Sequence, residues 1–166
     1  MSIDKILDSG KFWDPNSLET LIFSNFVGAA AIVDFHDNQT EILRVNPKYL
    51  KELSMNLSEK EVIKTDLMQL LDNENQKIYQ DTLKQAIYPK DEEECETWRS
   101  VCSSCCGEEK ICIRSTLRMI GKSEVSHLFY VMIRNVTQEK QNLMRILDSE
   151  RRFKAASEQV NIYYWE

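Results

Sequence analysis

The sequence predicts an α+β domain with one five-stranded antiparallel sheet. Short helices and one longer helix cover one face, an N-terminal helix precedes the sheet and a linker helix follows it. Three observations lead there. Two β-prone runs come first, a helical stretch follows, and three more β-prone runs close the domain. Gly 4 and Pro 3 among 166 residues are too few for a sandwich of tight turns, or for collagen-like and Pro/Gly-rich disordered chains. Hydrophobic residues at 42% and charged ones at 29% suit a globular core. A chain of this length buries roughly two-thirds of its unfolded surface without needing disulfides or metal.

Residues 1–15, with Gly10 inside and Pro15 at the end, read as a loosely attached leader. Asn16 and Glu19 have the spacing of a capping box, which predicts a helix from Ser17 to Asn25 with Leu18, Leu21, Ile22 and Phe26 as its packing face. Ala29 to Phe35 and Thr40 to Val45 read as two strands joined by a hairpin at Asp37-Asn38. Asn46-Pro47 opens a short helix, since Asn caps and Pro at the first helical position loses no needed hydrogen bond. Tyr49, Leu50 and Leu53 share its apolar face. Ser58 and Glu61 form a second capping box, before a stretch of short helices or turns through Leu67, Leu70 and Leu71.

Asn73 to Tyr88 is the longest predicted helix of the domain, with Tyr79, Leu83 and Ala86 on one stripe and Pro89 ending it. Glu93 to Ser103, Lys110 to Met119 and Val125 to Val136 read as three strands, with Gly107 and Gly121 at the turns. In the second, Ile111, Ile113 and Leu117 alternate with polar neighbours, the period of a half-buried strand. Residues 138–160 then read as a linker helix, in which Leu143, Ile146, Glu150 and Phe153 step by three, four and three. The run 161–166 is β-prone with no turn or cap behind it, and is expected to begin a further module.

Charge narrows the function classes. There are 27 acidic and 21 basic residues, a net charge of −6, and the isoelectric point is near 5.1. That argues against nucleic acid as the main partner and against an electrostatic membrane contact. No apolar run approaches the roughly 18 residues of a spanning helix, and no signal peptide opens the chain, so a cytoplasmic location is expected. There is no Gly-rich phosphate loop, no nucleophile elbow and no His-Glu-x-x-His helix, so an enzyme is not expected.

The order of these elements resembles that of the PAS domain family, here over residues 16–137. Asn46-Pro47-Lys48-Tyr49-Leu50 resembles the family's Asn-x-aromatic/Ala segment after the second strand. Asn135-Val136-Thr137-Gln138-Glu139-Lys140 is similar to the Asp-Ile-Thr-x-x-Lys element at which family members hand a signal to an output helix, with Asn135 in place of the acidic residue. Residues 149–158 resemble the opening helix of a second such module. The resemblance implies a non-catalytic sensory module of a bacterial multidomain signalling protein. It would bind a small ligand or a partner and relay through Asn135, Thr137, Lys140, Leu143, Ile146 and Phe153 to an output domain such as a diguanylate cyclase or kinase. A homodimer is expected, as is contact with an adjacent PAS or output domain. The alternatives are a structural dimerisation module with a filled core and a cysteine-hairpin metal or redox module.

The expected pocket, between sheet and helices, would be lined by Ile32, Leu43, Tyr49, Leu50, Leu53, Leu67, Leu71, Trp98, Ile113 and Phe129, with Tyr49 and Trp98 as polar anchors. Apolar periodicity does not separate a lined cavity from a filled core. No ligand or cofactor is identified. Haem is disfavoured because the long helix carries no His, and flavin because the Gly-Arg-Asn-Cys-Arg-Phe-Leu segment of the flavin-binding relatives is missing. Cys102, Cys105, Cys106 and Cys112 could hold zinc across a hairpin, although loose thiols are the preferred reading of five cysteines without a second Cys-x-x-Cys. The acidic run Asp91–Glu94 reads as a solvated loop rather than a cation site.

Overall fold

Asp37 and Asn38 decide where the sheet begins. Both take positive φ, 46° and 62°, the left-handed pair that a two-residue hairpin needs and that Asp and Asn tolerate. They join strand β1 (Ala29–His36) to strand β2 (Gln39–Val45). Strands β3 (Glu92–Ser103), β4 (Gly107–Lys122) and β5 (His127–Asn135) complete an antiparallel sheet of order β2-β1-β5-β4-β3. In the computed structural model, which describes residue 14 and residues 17–53, 55, 57–88, 92–103 and 107–163, this sheet is the frame of the domain.

The inner face of the sheet is covered by helix α2 (Pro47–Glu52), helix α3 (Glu59–Val62), a 3-10 turn (Leu67–Leu70) and helix α4 (Asn73–Gln85). Local chemistry sets each start. Asn46 caps α2 with Pro47 in its first turn, and the reciprocal Ser58–Glu61 box opens α3, its carboxylate 2.7 Å from the Ser58 amide. Hydrogen bonding to Ser58 lowers the Glu61 pKa. Tyr49, Tyr79, Phe129, Ile42, Leu83, Ile113 and Leu117 are the largest fully buried side chains here, all in one cluster.

Asn46 does more than cap. Its side-chain oxygen accepts from the amides of Ala30 (3.0 Å) and Tyr49 (2.9 Å), while its side-chain nitrogen donates to the Gly28 carbonyl (2.7 Å). At 1% exposure these bonds are sheltered from water, so a single side chain welds the start of β1 to the start of α2. Asp66 plays a similar part, accepting from the Thr40 amide and hydroxyl and from the Met68 amide.

Several boundaries differ from the sequence reading. Gly121 lies inside β4, at a register irregularity after Met119, and the turn falls instead at Ser123 to Ser126. Val125 is 77% exposed in that turn, so β5 begins at His127. Helix α4 ends at Gln85, short of Tyr88.

Helix α1 (Leu18–Asn25) is capped by Ser17, whose hydroxyl accepts from the Thr20 amide; Asn16 lies outside the described residues. It also packs on the opposite stripe from the one expected. Thr20 is buried and Phe23 packs on the outer-face cluster, whereas Leu18, Leu21 and Ile22 are 68%, 50% and 60% exposed. The reason is Arg44: its Nη1 donates to the Thr20 hydroxyl at 3.0 Å, and its guanidinium lies 5.3 Å from the Phe23 ring centroid. These contacts orient the helix, not its widest apolar stripe.

The chain divides into two compact units after Asn135. The second holds helix α5 (Thr137–Tyr163). Residues 161–163, expected as a strand, continue this helix, because neither Gly nor Pro interrupts the chain after Thr137; residues 164–166 lie outside the described residues. No described helix is long and apolar enough to cross a membrane.

Candidate functional site

Period-2 alternation sends one set of strand side chains inward and the other outward, and among the described residues hollows lie on both faces. The inner one lies where the pocket was expected. Tyr49, Leu53, Leu67, Leu71 and Ile113 do converge there, and Leu50 packs against the same core. The space they enclose is only about 10 Å³. Phe129 is fully buried in the core but does not line that space.

Three expected lining residues are elsewhere. Ile32 and Leu43 belong to a separate cluster on the outer face with Phe23, Leu128 and Tyr130. Trp98 is 37% exposed and alternates outward from the buried Thr97. An unbroken apolar run such as Ala29–Val33 carries no alternation from which to choose a face, and an irregularity between Ile32 and Val33 shifts the pairing beside Leu43.

Burial dominates the electrostatics of the inner hollow. It raises the hydroxyl pKa values of Tyr49 and Tyr79 well above the usual tyrosine range and pushes the Cys95 thiol up to about 11. Arg99 reaches in from β3 and its guanidinium donates to the Leu53 carbonyl. Burial lowers its pKa, opposed by the neighbouring Tyr49. The Thr97 hydroxyl has no hydrogen-bond partner among the described residues, and the Tyr79 hydroxyl has only a weak contact with the Ser115 side chain.

The outer hollow was not foreseen. It is a groove of about 410 Å³ between α1 and the sheet, walled by Ile22, Phe23, Phe26, Ile32 and Tyr130, with Glu19 and Arg44 as its charged members. The Phe26 and Tyr130 rings meet edge to face with centroids 6.2 Å apart. A Cβ at Gly28 would stand 2.9 Å from the Phe26 ring, so glycine there lets the ring lie close over the chain. The signal that could have found the groove is Tyr130, a large aromatic at an outward position of β5 where a solvated face would be polar.

The cysteine constellation is altered by register. Cys112 pairs with Trp98, while Cys102 pairs with Glu108. The four-residue offset separates Cys112 from Cys102 by roughly 13 Å along the strand, too far for one tetrahedral ion. Cys112 and Cys95 are buried on opposite faces of the sheet. Cys105 and Cys106 lie outside the described residues, as does Asp91. Among the described residues, no group of three or more His, Cys, Asp or Glu side chains is placed to hold a metal.

Of the expected relay residues, Asn135 ends β5, and its amide donates to the Glu52 carboxylate at 2.9 Å, joining the end of α2 to the end of the central strand. Thr137 and Lys140 lie in the first turn of α5. Farther along, Leu143, Ile146 and Phe153 are 50%, 56% and 77% exposed.

The sequence matches no protein-family model and no curated protein. The structure is similar to that of the Rhodobacter sphaeroides LOV protein, with a TM-score of 0.55 and 13% identity, covering 70% of this chain and 63% of that one. It is also similar to the PAS domain of a Colwellia psychrerythraea protein, with a TM-score of 0.53 and 13% identity, covering 71% and 93%. A sensory box histidine kinase/response regulator from Burkholderia thailandensis matches with a TM-score of 0.50 and 14% identity, covering 76% and 91%. This chain therefore spans less than two-thirds of the length of the LOV protein. The five-stranded α+β architecture is the PAS fold.

Proposed function

We propose that this chain is a non-catalytic signalling module that recognises its input on the outer face of the sheet and passes it on through helix α5 as a homodimer. The observation that carries the reading is the course of the chain at Asn135. The central strand β5 runs into a 27-residue helix with one residue between them, and that helix exposes Leu143, Ile146, Leu147 and Phe153. A shift in the central strand is thereby passed covalently to a helix whose apolar stripe suits pairing with its own copy. The Asn135 amide bond to Glu52 is the joint at which movement of α2 reaches β5.

The similar proteins include a sensory box histidine kinase/response regulator, which is in keeping with a signalling role. An adjacent signalling domain is the proposed recipient of the shift. The interior supports no organic ligand at about 10 Å³, against the several hundred typical of ligand pockets. A second reading rests on the outer groove, whose roughly 410 Å³ suits a compact apolar ligand in place of a protein contact.

Sedimentation of the chain tests the proposal. Two chains per particle are expected, falling to one in the Leu143→Asp, Ile146→Asp double variant with its melting temperature unchanged at the domain transition. A single chain from the outset, or a variant that remains paired, would overturn the assignment of pairing to α5.

A further inference from the structure

The interior of the domain contains a chemical inconsistency at an identifiable place. Tyr79, on α4, is 2% exposed and Thr97, on β3, is fully buried, yet the Thr97 hydroxyl has no hydrogen-bond partner among the described residues and the Tyr79 hydroxyl has only a weak contact with the Ser115 side chain. Leaving a buried hydroxyl unpaired costs roughly 1–3 kcal/mol, and native cores rarely tolerate it. Both residues line the same void, as does Ser115 of β4. Its volume of about 10 Å³ is at the lower end of the roughly 10–15 Å³ that one water requires. Tyr49 is a further wall, and the others are apolar, among them Leu67, Leu71 and Ile133, so a guest has few polar atoms to bond except hydroxyls.

We propose that a single ordered water occupies this void and bridges the hydroxyls of Tyr79 and Thr97, tying helix α4 to strand β3. Two hydroxyls and a water satisfy one another because each is both donor and acceptor. Ser115 provides a third hydroxyl beside the bridge and links it to β4. The guest is neutral, since no charged side chain lines the void. It is also no larger than water, since the space is about 10 Å³. This inference is independent of the signalling role and of pairing through α5.

Water-selective NOE spectroscopy on the isotopically labelled full chain tests it. The expected result is a cross-peak from a long-lived water to the side-chain protons of Thr97 and Tyr79, with Thr97→Val melting at or below the parent temperature because the water loses a partner. Tyr79→Phe provides the same comparison from the other side of the void. The inference is overturned if the parent shows no such cross-peak and Thr97→Val melts higher, on the order of a few degrees, as removal of an unpaired hydroxyl from a dry core requires.

Discussion

The two faces of the sheet are built from alternating residues of the same strands, yet they do different work. The inner face carries Val33, Ile42, Phe129, Val131, Ile113 and Leu117, each at most 2% exposed and part of one continuous cluster. The outer face carries a small cluster around Ile32 and Leu128, an open groove beside Tyr130, and an ion-paired ladder on the β3–β4 edge. In that ladder Arg114 meets Glu96 at 2.7 Å and Arg118 meets Glu92 at 2.8 Å. Close packing resists change, because every lost methylene leaves a cavity. A half-covered face tolerates it. Stability therefore resides on the inner face, and the outer one has room to vary.

The widest separation between the faces is expected for large-to-small substitution. Phe129→Ala removes a fully buried ring and should cost about 3–5 kcal/mol in urea unfolding, whereas Phe26→Ala, at 37% exposure, should cost well under half of that. Comparable losses would erase the distinction.

Next in size is Asn46→Ala, expected to cost about 2 kcal/mol, since it strands the Ala30 amide and the Gly28 carbonyl at a buried junction. Calorimetric melting measures it. A loss no greater than that of an exposed cap would show that the weld between β1 and α2 does not hold.

A smaller effect comes from pH. The Cys95 thiol is raised from its ordinary 9.0 to about 11 in the folded chain, so above pH 9 the unfolded chain has released a proton that the folded one retains. Stability is therefore full below pH 9 and is lost as pH rises toward 11, by about 1 kcal/mol at pH 10. Tyr49 and Tyr79 are shifted the same way and steepen the fall at higher pH. Urea melts at pH 8 and pH 10 read this loss, and Cys95→Ala should flatten it over that interval.

The smallest expected change is in Ile22→Ser. At 60% exposure it should move stability by less than about 0.5 kcal/mol while weakening whatever docks in the groove. A large destabilisation would mean that α1 packs through its apolar stripe after all.

The same contrast explains what was legible in the sequence. Elements set by local chemistry were: the Asp37-Asn38 hairpin, the Asn46-Pro47 helix start and the Ser58–Glu61 box all stand where their side chains place them. So was the Tyr79–Leu83–Ala86 stripe, which is buried along its length. What depends on distant partners was not legible. The facing of α1 is set by Arg44, 24 residues away from Thr20. The positions of Ile32, Leu43 and Trp98 depend on pairing irregularities and on which face each strand offers, and the separation of Cys112 from Cys102 depends on the β3–β4 register, which follows from the hairpin centre. Periodicity identifies a face but not what lies over it, which is why a lined pocket and a filled core stayed indistinguishable on the inner face and the groove beside Tyr130 went unseen.

The central claim is that the inner face is closed to organic molecules and the outer face is open. An NMR titration of the methyl-labelled chain with indole tests it most directly. The account predicts shifts at Ile22 and Ile32 beside the outer groove, with the methyls of Leu71, Ile113 and Leu117 unmoved. Shifts at those inner methyls, with Ile22 and Ile32 silent, would contradict it.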